Sequence, residues 1–146
     1  MTKLKHANGN KPLTQEQKEK MIQEASEHYG RYMTALGFDW REDPNSDKTP
    51  YRVAKAYVND LWAGRYEAPP AITTFPSDGY DGIVFEGGIP LTSMCSHHHQ
   101  TIMGVVHVAY IPGKDSQVIG LSKLNRLVEH FARRGAIQEQ LTVAIH

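Results

Sequence analysis

The sequence predicts a single α+β domain, because helical patterns lie at both ends of the chain and strand patterns lie between them. A length of 146 residues suits one domain of ordinary size. Residues 1–13 are polar and lack a hydrophobic period, so we expect a flexible tail there. We expect residues 14–65 to form an N-terminal helical region and residues 66–146 to contain the strands.

Two helical patterns make up the N-terminal region. The first opens at Thr14, with Gln17 at the offset of a capping box. The second opens at Thr49, a good N-cap residue, and Pro50 is tolerated at the first helical position. Glycines that can end these helices follow both patterns, at Gly37 and Gly64.

Three strand patterns follow a long loop that is rich in proline and glycine. They are Ile83–Phe85, Ile89–Met94 and Thr101–Ile111. In the last and strongest pattern, Val106, Val108 and Tyr110 share one face. We expect two more helices after it, one capped by Ser122 and one that begins at Ile137.

The composition argues against several classes of protein. Sixteen Lys and Arg balance sixteen Asp and Glu, which disfavours broad electrostatic binding to nucleic acid or to an anionic membrane. One cysteine cannot form an internal disulfide, and no apolar run approaches the roughly 20 residues of a membrane helix. The N-terminus has no apolar signal-peptide region. We therefore expect a cytoplasmic protein with neither a nucleic-acid partner nor a membrane partner.

The stretch Met94–His99 holds the only cysteine and three of the eight histidines, in a turn between two predicted strands. Thiolate and imidazole are ligands that zinc prefers, and the C-x-x-H spacing of Cys95 and His98 lets both reach one ion. A further histidine beside such a site could transfer protons. These residues predict a catalytic zinc site. The alternative is a surface loop with chance histidines and a small buried cysteine.

Basic residues lie near the starts of two predicted helices. Ser122, Lys123 and Arg126 fall at one start, and Arg52 and Lys55 fall at the other. A helix N-terminus has free N–H groups and a positive dipole end, which suit a phosphate. The pattern indicates an anionic ligand, although basic first turns are more often solvent-facing.

Glu139 and four histidines complete the polar residues of interest. Glu139 complements the dipole at the start of the last helix, or it accepts N–H bonds from a base such as guanine. We expect His107 to be packed in its strand, and His28 and His130 to lie on helix surfaces. We assign no function to these three histidines or to His6.

Taken together, these motifs resemble GTP cyclohydrolase I over about Thr49 to His146, two thirds of the chain. No single segment is decisive, but their order and spacing are specific. The segments are Thr49–Lys55, Leu91–His98, Val108–Pro112, Val118–Arg126 and Ile137–Thr142. The resemblance implies a T-fold, in which antiparallel strands carry helices on one face, preceded here by an N-terminal helical extension.

The resemblance also implies a reaction and an assembly. The family hydrolyses GTP at C8 of guanine, releases formate and rearranges the ribose to give 7,8-dihydroneopterin triphosphate. This product feeds folate or pterin synthesis, and in some systems 7-deazaguanine synthesis. The subunits form a homodecamer with active sites at the subunit interfaces, and zinc is the cofactor.

The family's residues around the reacting ring match four positions of this sequence. Cys95 and His98 match two zinc ligands, and His97 matches the histidine that handles protons at the purine ring. Glu139 matches the carboxylate that reads the guanine edge. Zinc lowers the pKa of a bound water to roughly 7, which fits hydrolysis at neutral pH.

The family's contacts to ribose and phosphate match five further positions. Ser122 lies where the family contacts ribose or phosphate, and we expect it, with His97, to act in catalysis. Lys123, Arg126, Arg52 and Lys55 match basic residues around the triphosphate. A triphosphate needs several cations, so the number of basic residues agrees with the substrate.

Two departures from the family matter. The family has Glu between the Cys and the paired His, whereas this sequence has Ser96, at a position that is not a ligand. The family takes its third zinc ligand, a Cys, and a second catalytic His from a C-terminal half that would follow His146. The last helical pattern also has no stop signal, so we expect a truncated chain. Residues 66–146 would then be the N-terminal half of the catalytic domain.

Three other interpretations stay open at this point. The chain could be a fragment that binds GTP without turnover, a related T-fold enzyme such as a pterin or deazaguanine reductase, or a helical interaction module. The related reductases do not need this Cys-x-His-His motif. The interaction module requires the cluster of Cys and His to be a coincidence.

Overall fold

The computed structural model describes Leu4, His6, residues 9–114 and residues 116–146. Helices lie at both ends of the chain and strands lie between them, which confirms the α+β class. The helices are α1 (Gln15–Ala35), α2 (Thr49–Ala56), α3 (Ala63–Tyr66), α4 (Leu121–Ala132) and α5 (Gln138–Ile145). The strands are β1 (Thr74–Pro76), β2 (Val84–Met94), β3 (Thr101–Tyr110) and β4 (Gln117–Ile119).

β2 and β3 form a long antiparallel hairpin. Its register runs from Val84 opposite Tyr110 to Met94 opposite Thr101. The register shifts across Gly87–Gly88, so the two strand patterns predicted on either side of these glycines are one bulged strand. The hairpin places its closing turn directly after Met94.

A second antiparallel pair, β1 with β4, lies in segments where the sequence predicts only loop. Thr74 pairs with Ile119, and Pro76 pairs with Gln117. Three residues are too few for a recognisable alternation, and each strand's partner lies more than 40 residues away in the chain. No local pattern therefore indicates this pairing.

The hydrophobic core has two parts. Between α1 and α2, Ile22 packs against Ala54 and Val58. Behind the hairpin, α4 packs against β2, and both elements bury apolar side chains. These are Ile89 and Met94 from β2, and Leu124 and Val128 from α4. The end of β2 that leads into the turn is thus anchored in the core.

β3 has the predicted alternation. Val106, Val108 and Tyr110 are half-buried, while the residues between them are exposed. One of the exposed residues, His107, still makes packing contacts: its ring stacks on Phe85 with centroids 6.1 Å apart and an interplanar angle of 5°. Strand periodicity therefore predicts the faces of this element correctly.

Both ends of α1 confirm the sequence pattern. The Thr14 hydroxyl accepts a hydrogen bond from the Gln17 N–H at 3.2 Å, and the Gln17 side chain accepts one from the Thr14 N–H at 2.9 Å. Gly37 follows the helix with a φ of 87°, in the left-handed region that favours glycine. These signals are local, which is why the sequence reports them.

The second predicted helix is shorter than expected. Its N-cap is Lys48, so the prediction of Thr49 as the cap is wrong, because Thr49 already lies inside the first turn. Past α2 the backbone widens into a π-helical segment, Tyr57–Leu61. The Trp62 N–H donates to the Tyr57 carbonyl at 2.9 Å, and the two rings pack edge to face at 4.7 Å. This aromatic contact accompanies the wider turn.

The sequence predicts that Gly64 ends the second helical pattern, but in the structure Gly64 lies inside α3. A Cβ at this position would lie 2.0 Å from the His130 carbonyl oxygen and 3.1 Å from that of Arg133. Gly64 therefore allows α3 and α4 to approach closely. This is a tertiary role, which turn chemistry does not report.

The predicted cap of α4 is also wrong. The N-cap is Gly120, and Ser122 is the exposed second residue of the helix. The Gly120 N–H donates to the Thr73 carbonyl at 3.2 Å. The pairing of β4 with β1 therefore holds the chain extended up to Gly120, and the helix begins two residues earlier than the sequence pattern indicates.

His130 is buried, so its predicted surface position is wrong. Its Nε2 atom accepts a hydrogen bond from the Arg134 guanidinium at 2.6 Å. Burial lowers the pKa of His130, and the charge of Arg134 lowers it further, whereas Glu67 acts weakly in the opposite direction. The imidazole is therefore held neutral beneath α3.

Part of the predicted tail lies against the helical region. Residues 1–3, 5, 7 and 8 are outside the described residues. The Asn10 side chain donates to the carbonyls of Gly64 and Glu67 at 2.8 and 2.7 Å, and the Lys11 N–H donates to the Arg65 carbonyl at 2.7 Å.

None of the described helices combines the length and hydropathy that crossing a bilayer requires.

We predict that Gly64→Ala destabilises the fold by about 1–3 kcal/mol, because the added methyl group collides with the backbone of α4. The sign is informative, since Gly→Ala inside a helix otherwise stabilises by up to about 1 kcal/mol. Urea unfolding followed by circular dichroism measures the change. Gly104→Ala is the control, because a Cβ there meets nothing within 4 Å. An unchanged stability of Gly64→Ala would contradict the close packing.

We predict that the free energy of unfolding decreases as the pH falls below about 6.5. The folded chain holds His130 neutral, whereas the unfolded chain lets it bind a proton at its ordinary pKa, so acid favours unfolding. One such group contributes at most about 1.4 kcal/mol per pH unit. Urea unfolding at several pH values measures the slope. His130→Gln should flatten it, and an equal slope in this variant would argue against a neutral buried imidazole.

Candidate functional site

The Cys and His cluster forms the closing turn of the β2–β3 hairpin, as the sequence predicts. The Cys95 N–H donates to the Gln100 carbonyl at 2.9 Å, and the His99 N–H donates to the Cys95 carbonyl at 3.0 Å. His99 has a φ of 55°, a left-handed conformation that is uncommon outside glycine. The turn is therefore closed by its own backbone.

The thiol of Cys95 lies among N–H groups of this turn. The backbone N–H groups of His98 and His97 hold the pKa of the Cys95 thiol below its ordinary value. Its Sγ atom also lies 3.9 Å from Nδ1 of His97. A lowered pKa favours the thiolate, which is the form that binds metal ions.

The imidazoles of the turn are accessible. His97 and His98 are exposed, with ring centroids 6.1 Å apart. Thiolate and imidazole are the donor types that zinc prefers, so Cys95 and His98 fit part of a zinc site. Within the part of the chain that the structure describes, no group of three or more His, Cys, Asp or Glu residues is arranged to hold a metal ion.

The connection between α4 and α5 lies against this turn. Cys95 pairs with Ala136 in an isolated parallel bridge, and the Ala136 N–H donates to the Met94 carbonyl at 3.2 Å. Glu139 is exposed in the first turn of α5, three residues after Ala136. Three residues span at most about 11 Å, so the helix that carries Glu139 begins near the backbone of Cys95. The sequence alone does not report this proximity.

Ser122 and Lys123 lie at the N-terminal end of α4, and Arg126 lies near its middle. The other end of the helix is bound to the hairpin, where the Ser93 hydroxyl donates to the Ala132 carbonyl at 2.7 Å. Ser122 lies ten residues before Ala132, which is about 15 Å along the helix axis. Within one chain, most of the length of α4 therefore separates Ser122 and Lys123 from the end that contacts the hairpin, and about half of it separates Arg126.

Arg52 and Lys55 are exposed on α2. This helix runs directly into the π-helical segment. The first residue of that segment is Tyr57, whose ring centroid lies 5.9 Å from that of His99. The two basic residues thus lie on the helix that leads to the Cys95 turn. Their charges remain available to an anion that approaches from this side.

Two aromatic residues beside the turn have no counterpart in the predicted site. The ring of His99 packs edge to face on Trp62, with centroids 4.8 Å apart, and lies beside Tyr57. Helical periodicity assigns Tyr57 and Trp62 to separate stripes of one continuous helix. The π-helical segment brings them together, so the α-helical spacing carries no signal for this cluster.

A thiol of lowered pKa and exposed imidazoles in a closed turn, near a helix that presents a carboxylate, are features found in zinc-dependent enzymes. Residues 25–146 match the family model described as GTP cyclohydrolase I. The chain therefore belongs to the GTP cyclohydrolase I family, as the sequence motifs predict.

Individual relatives agree with this assignment. The chain is 44% identical over 120 residues to GTP cyclohydrolase 1 of Aeromonas salmonicida, which covers 81% of this chain and 54% of the relative. It is 45% identical over 122 residues to that of Shewanella loihica, covering 82% and 56% respectively. It is 46% identical over 109 residues to that of Corynebacterium glutamicum, which covers 71% of this chain and 55% of the relative. The chain thus spans about half the length of the curated relatives it matches.

We predict that the rate at which Cys95 reacts with iodoacetamide in the zinc-free chain rises with pH. The pH midpoint of this rise should lie below roughly 8.5, the pKa of an unperturbed thiol. The N–H groups of His98 and His97 stabilise the thiolate in the folded turn. Mass spectrometry reads this thiol alone, because it is the only cysteine. The chain unfolded in urea is the control and should show the ordinary midpoint. Coincident midpoints in the two states would contradict the geometry of the turn.

Proposed function

We propose that the protein functions as a zinc-dependent GTP cyclohydrolase I. The reaction is hydrolysis of GTP at C8 of guanine, with release of formate and formation of 7,8-dihydroneopterin triphosphate. The observation that carries the proposal is the Cys95 turn, with a thiol of lowered pKa next to two accessible imidazoles. Membership of the family and relatives named GTP cyclohydrolase 1 support the choice of substrate.

Cys95 and His98 are the proposed zinc ligands. When bound, zinc supplies Lewis-acid chemistry and activates a water molecule at neutral pH. As a thiolate, Cys95 would bring a negative charge to the site. The backbone N–H groups of the turn stabilise this charged form, because they lower the pKa of the thiol. The closed backbone of the turn limits the motion of both side chains.

His97 is the proposed proton-transfer residue. Its Nδ1 atom lies 3.9 Å from the Cys95 sulfur, and its ring is exposed toward an incoming ligand. Imidazole both accepts and donates a proton near neutral pH, as opening of the purine's five-membered ring requires. His97 therefore acts beside the metal rather than on it.

Glu139 is the proposed contact to guanine. A carboxylate only accepts hydrogen bonds, and the edge of guanine offers neighbouring N–H donors. The bridge between Cys95 and Ala136 holds the start of α5 beside the turn. The base would thus be oriented by one element while its C8 atom faces the other.

The proposed ribose and triphosphate contacts are Ser122, Lys123, Arg126, Arg52 and Lys55. Ser122 is also proposed to act in catalysis, as the family resemblance implies. Ser122 and the end of α4 are about 15 Å apart, so a ligand that contacts both is as extended as a nucleoside triphosphate, or the site is shared between copies of the chain. In such a site, α4 of one copy would face the Cys95 turn of another. A homodecamer, as the family resemblance implies, is the proposed assembly.

The cellular setting is proposed on the same grounds. The balanced charge favours a small-molecule substrate over nucleic acid or an anionic membrane surface. We place the protein in the cytoplasm, with its product used in tetrahydrofolate, pterin or 7-deazaguanine synthesis. Residues 14–65 would serve as the helical extension, and residues 66–146 as the first half of the T-fold domain.

We predict that Cys95→Ala removes both zinc and turnover, whereas His97→Ala keeps about one zinc per chain and loses at least about 100-fold in kcat. The chain is tested alone and also extended past His146 by the C-terminal half of the Aeromonas salmonicida relative. Metal content is measured by atomic emission, and formate release from GTP by coupled assay. Ser96→Ala is the matched control and should retain zinc. Equal zinc loss in Cys95→Ala and His97→Ala would refute this division of roles.

Binding of GTP without turnover is the second candidate function. The observation that favours it is the exposure of Arg52 and Lys55 on α2, because exposed cations can hold a triphosphate without a bound metal ion. Calorimetry with GTP and the formate assay separate the two functions. Binding without formate release, in both the chain alone and the extended chain, would favour this second function over the first.

A further inference from the structure

We propose that His99 is a positioning residue: its ring anchors the Cys95 turn onto the π-helical segment and thereby fixes the relative placement of Cys95 and His98. The metal-related part of this inference rests on the proposed function. His99 has a different task from its neighbours, although the three histidines are consecutive in the sequence.

The backbone of His99 indicates that an external contact holds it. Its φ of 55° lies in the left-handed region, which costs free energy for a residue with a Cβ atom. In this conformation its N–H donates to the Cys95 carbonyl at 3.0 Å, which closes the turn around the thiol. The strained residue is therefore the one that completes the turn.

The ring of His99 provides that contact. It meets Trp62 at a centroid distance of 4.8 Å and an interplanar angle of 86°, an edge-to-face geometry that aromatic pairs favour. It also lies 5.9 Å from the ring of Tyr57. The ring thus points to the helical region, whereas the ring of His97 lies beside the sulfur.

The surface that receives the ring is itself held in place. The Arg65 guanidinium stacks over Trp62 at 4.3 Å, and its Nε atom donates to the Arg134 carbonyl. Gly135 follows with a φ of 69°, and a Cβ there would lie 2.9 Å from Nε1 of Trp62. Trp62 is therefore held between Arg65 and Gly135, so a ring that packs on Trp62 is held in place as well.

The test compares two substitutions of His99 in the full chain. His99→Phe keeps an aromatic ring without ring nitrogens, and His99→Ala removes the ring. We expect His99→Ala to weaken zinc binding by about tenfold or more, as loss of a contact that orients a ligand typically does. His99→Phe should stay within about threefold of wild type, because the packing remains. Competition with a chelator measures the affinity.

A second readout does not depend on zinc. In the zinc-free chain, the amide of residue 99 should exchange with deuterium about tenfold faster in His99→Ala than in wild type or His99→Phe, because the bond to the Cys95 carbonyl opens. His107→Ala is the matched control, since it removes another exposed, stacked imidazole far from the turn. It should change neither exchange at residue 99 nor zinc affinity.

Two results would overturn the inference, and a third would overturn only the proposed function. If His99→Phe lost zinc as completely as His99→Ala, His99 would be a ligand. If His99→Ala matched wild type in exchange and affinity, the ring would position nothing. If wild type bound no zinc, either alone or extended past His146 by the C-terminal half of the Aeromonas salmonicida relative, the proposed function would fail, and the exchange comparison alone would decide this inference. Should His99→Ala not fold, Trp62→Phe against Trp62→Leu tests the same contact from the other side, with the aromatic variant expected to behave as wild type.

Discussion

The candidate site depends on one backbone contact between distant parts of the chain. The Ala136 N–H donates to the Met94 carbonyl, and beside it the Ser93 hydroxyl donates to the Ala132 carbonyl. Ser93 and Met94 are buried, so breaking these bonds would leave polar groups without partners in the core. The end of the hairpin and the connection from α4 to α5 are therefore held in one arrangement, and both candidate ligands and Glu139 lie on these two segments.

The N-terminal helices bear on the same place from the other side. Trp62 lies beneath the Arg65 guanidinium of the helical region and against Gly135. The helical region therefore contacts both the Cys95 turn and the connection between α4 and α5. The close approach at Gly64 and the buried pair of His130 and Arg134 support this packing from below. Changes in the helical extension should therefore be felt in the turn, although the extension supplies neither of the candidate zinc ligands.

The charged residues are distributed along α4 rather than gathered in one cleft. The C-terminal end of this helix touches the hairpin, its N-terminal end carries Ser122 and Lys123, most of a helix length away, and Arg126 lies near its middle. A ligand that contacts both ends must be extended enough to span this distance, or a second copy of the chain must bring the ends together. The separation is therefore compatible with the proposed site shared between subunits, but it does not by itself require one.

Local chemistry let the sequence by itself determine the α+β order, the capping box at Thr14, and the turn that carries Cys95 and His98, because periodicity and short spacings encode these features. The roles assigned to individual site residues stay predictions from the family resemblance. Only the tertiary structure decided that His130 is buried and that His99 packs on Trp62. These outcomes depend on residues that are far apart in the chain, and no pattern of 2 or 3.6 residues reports which distant surfaces will meet.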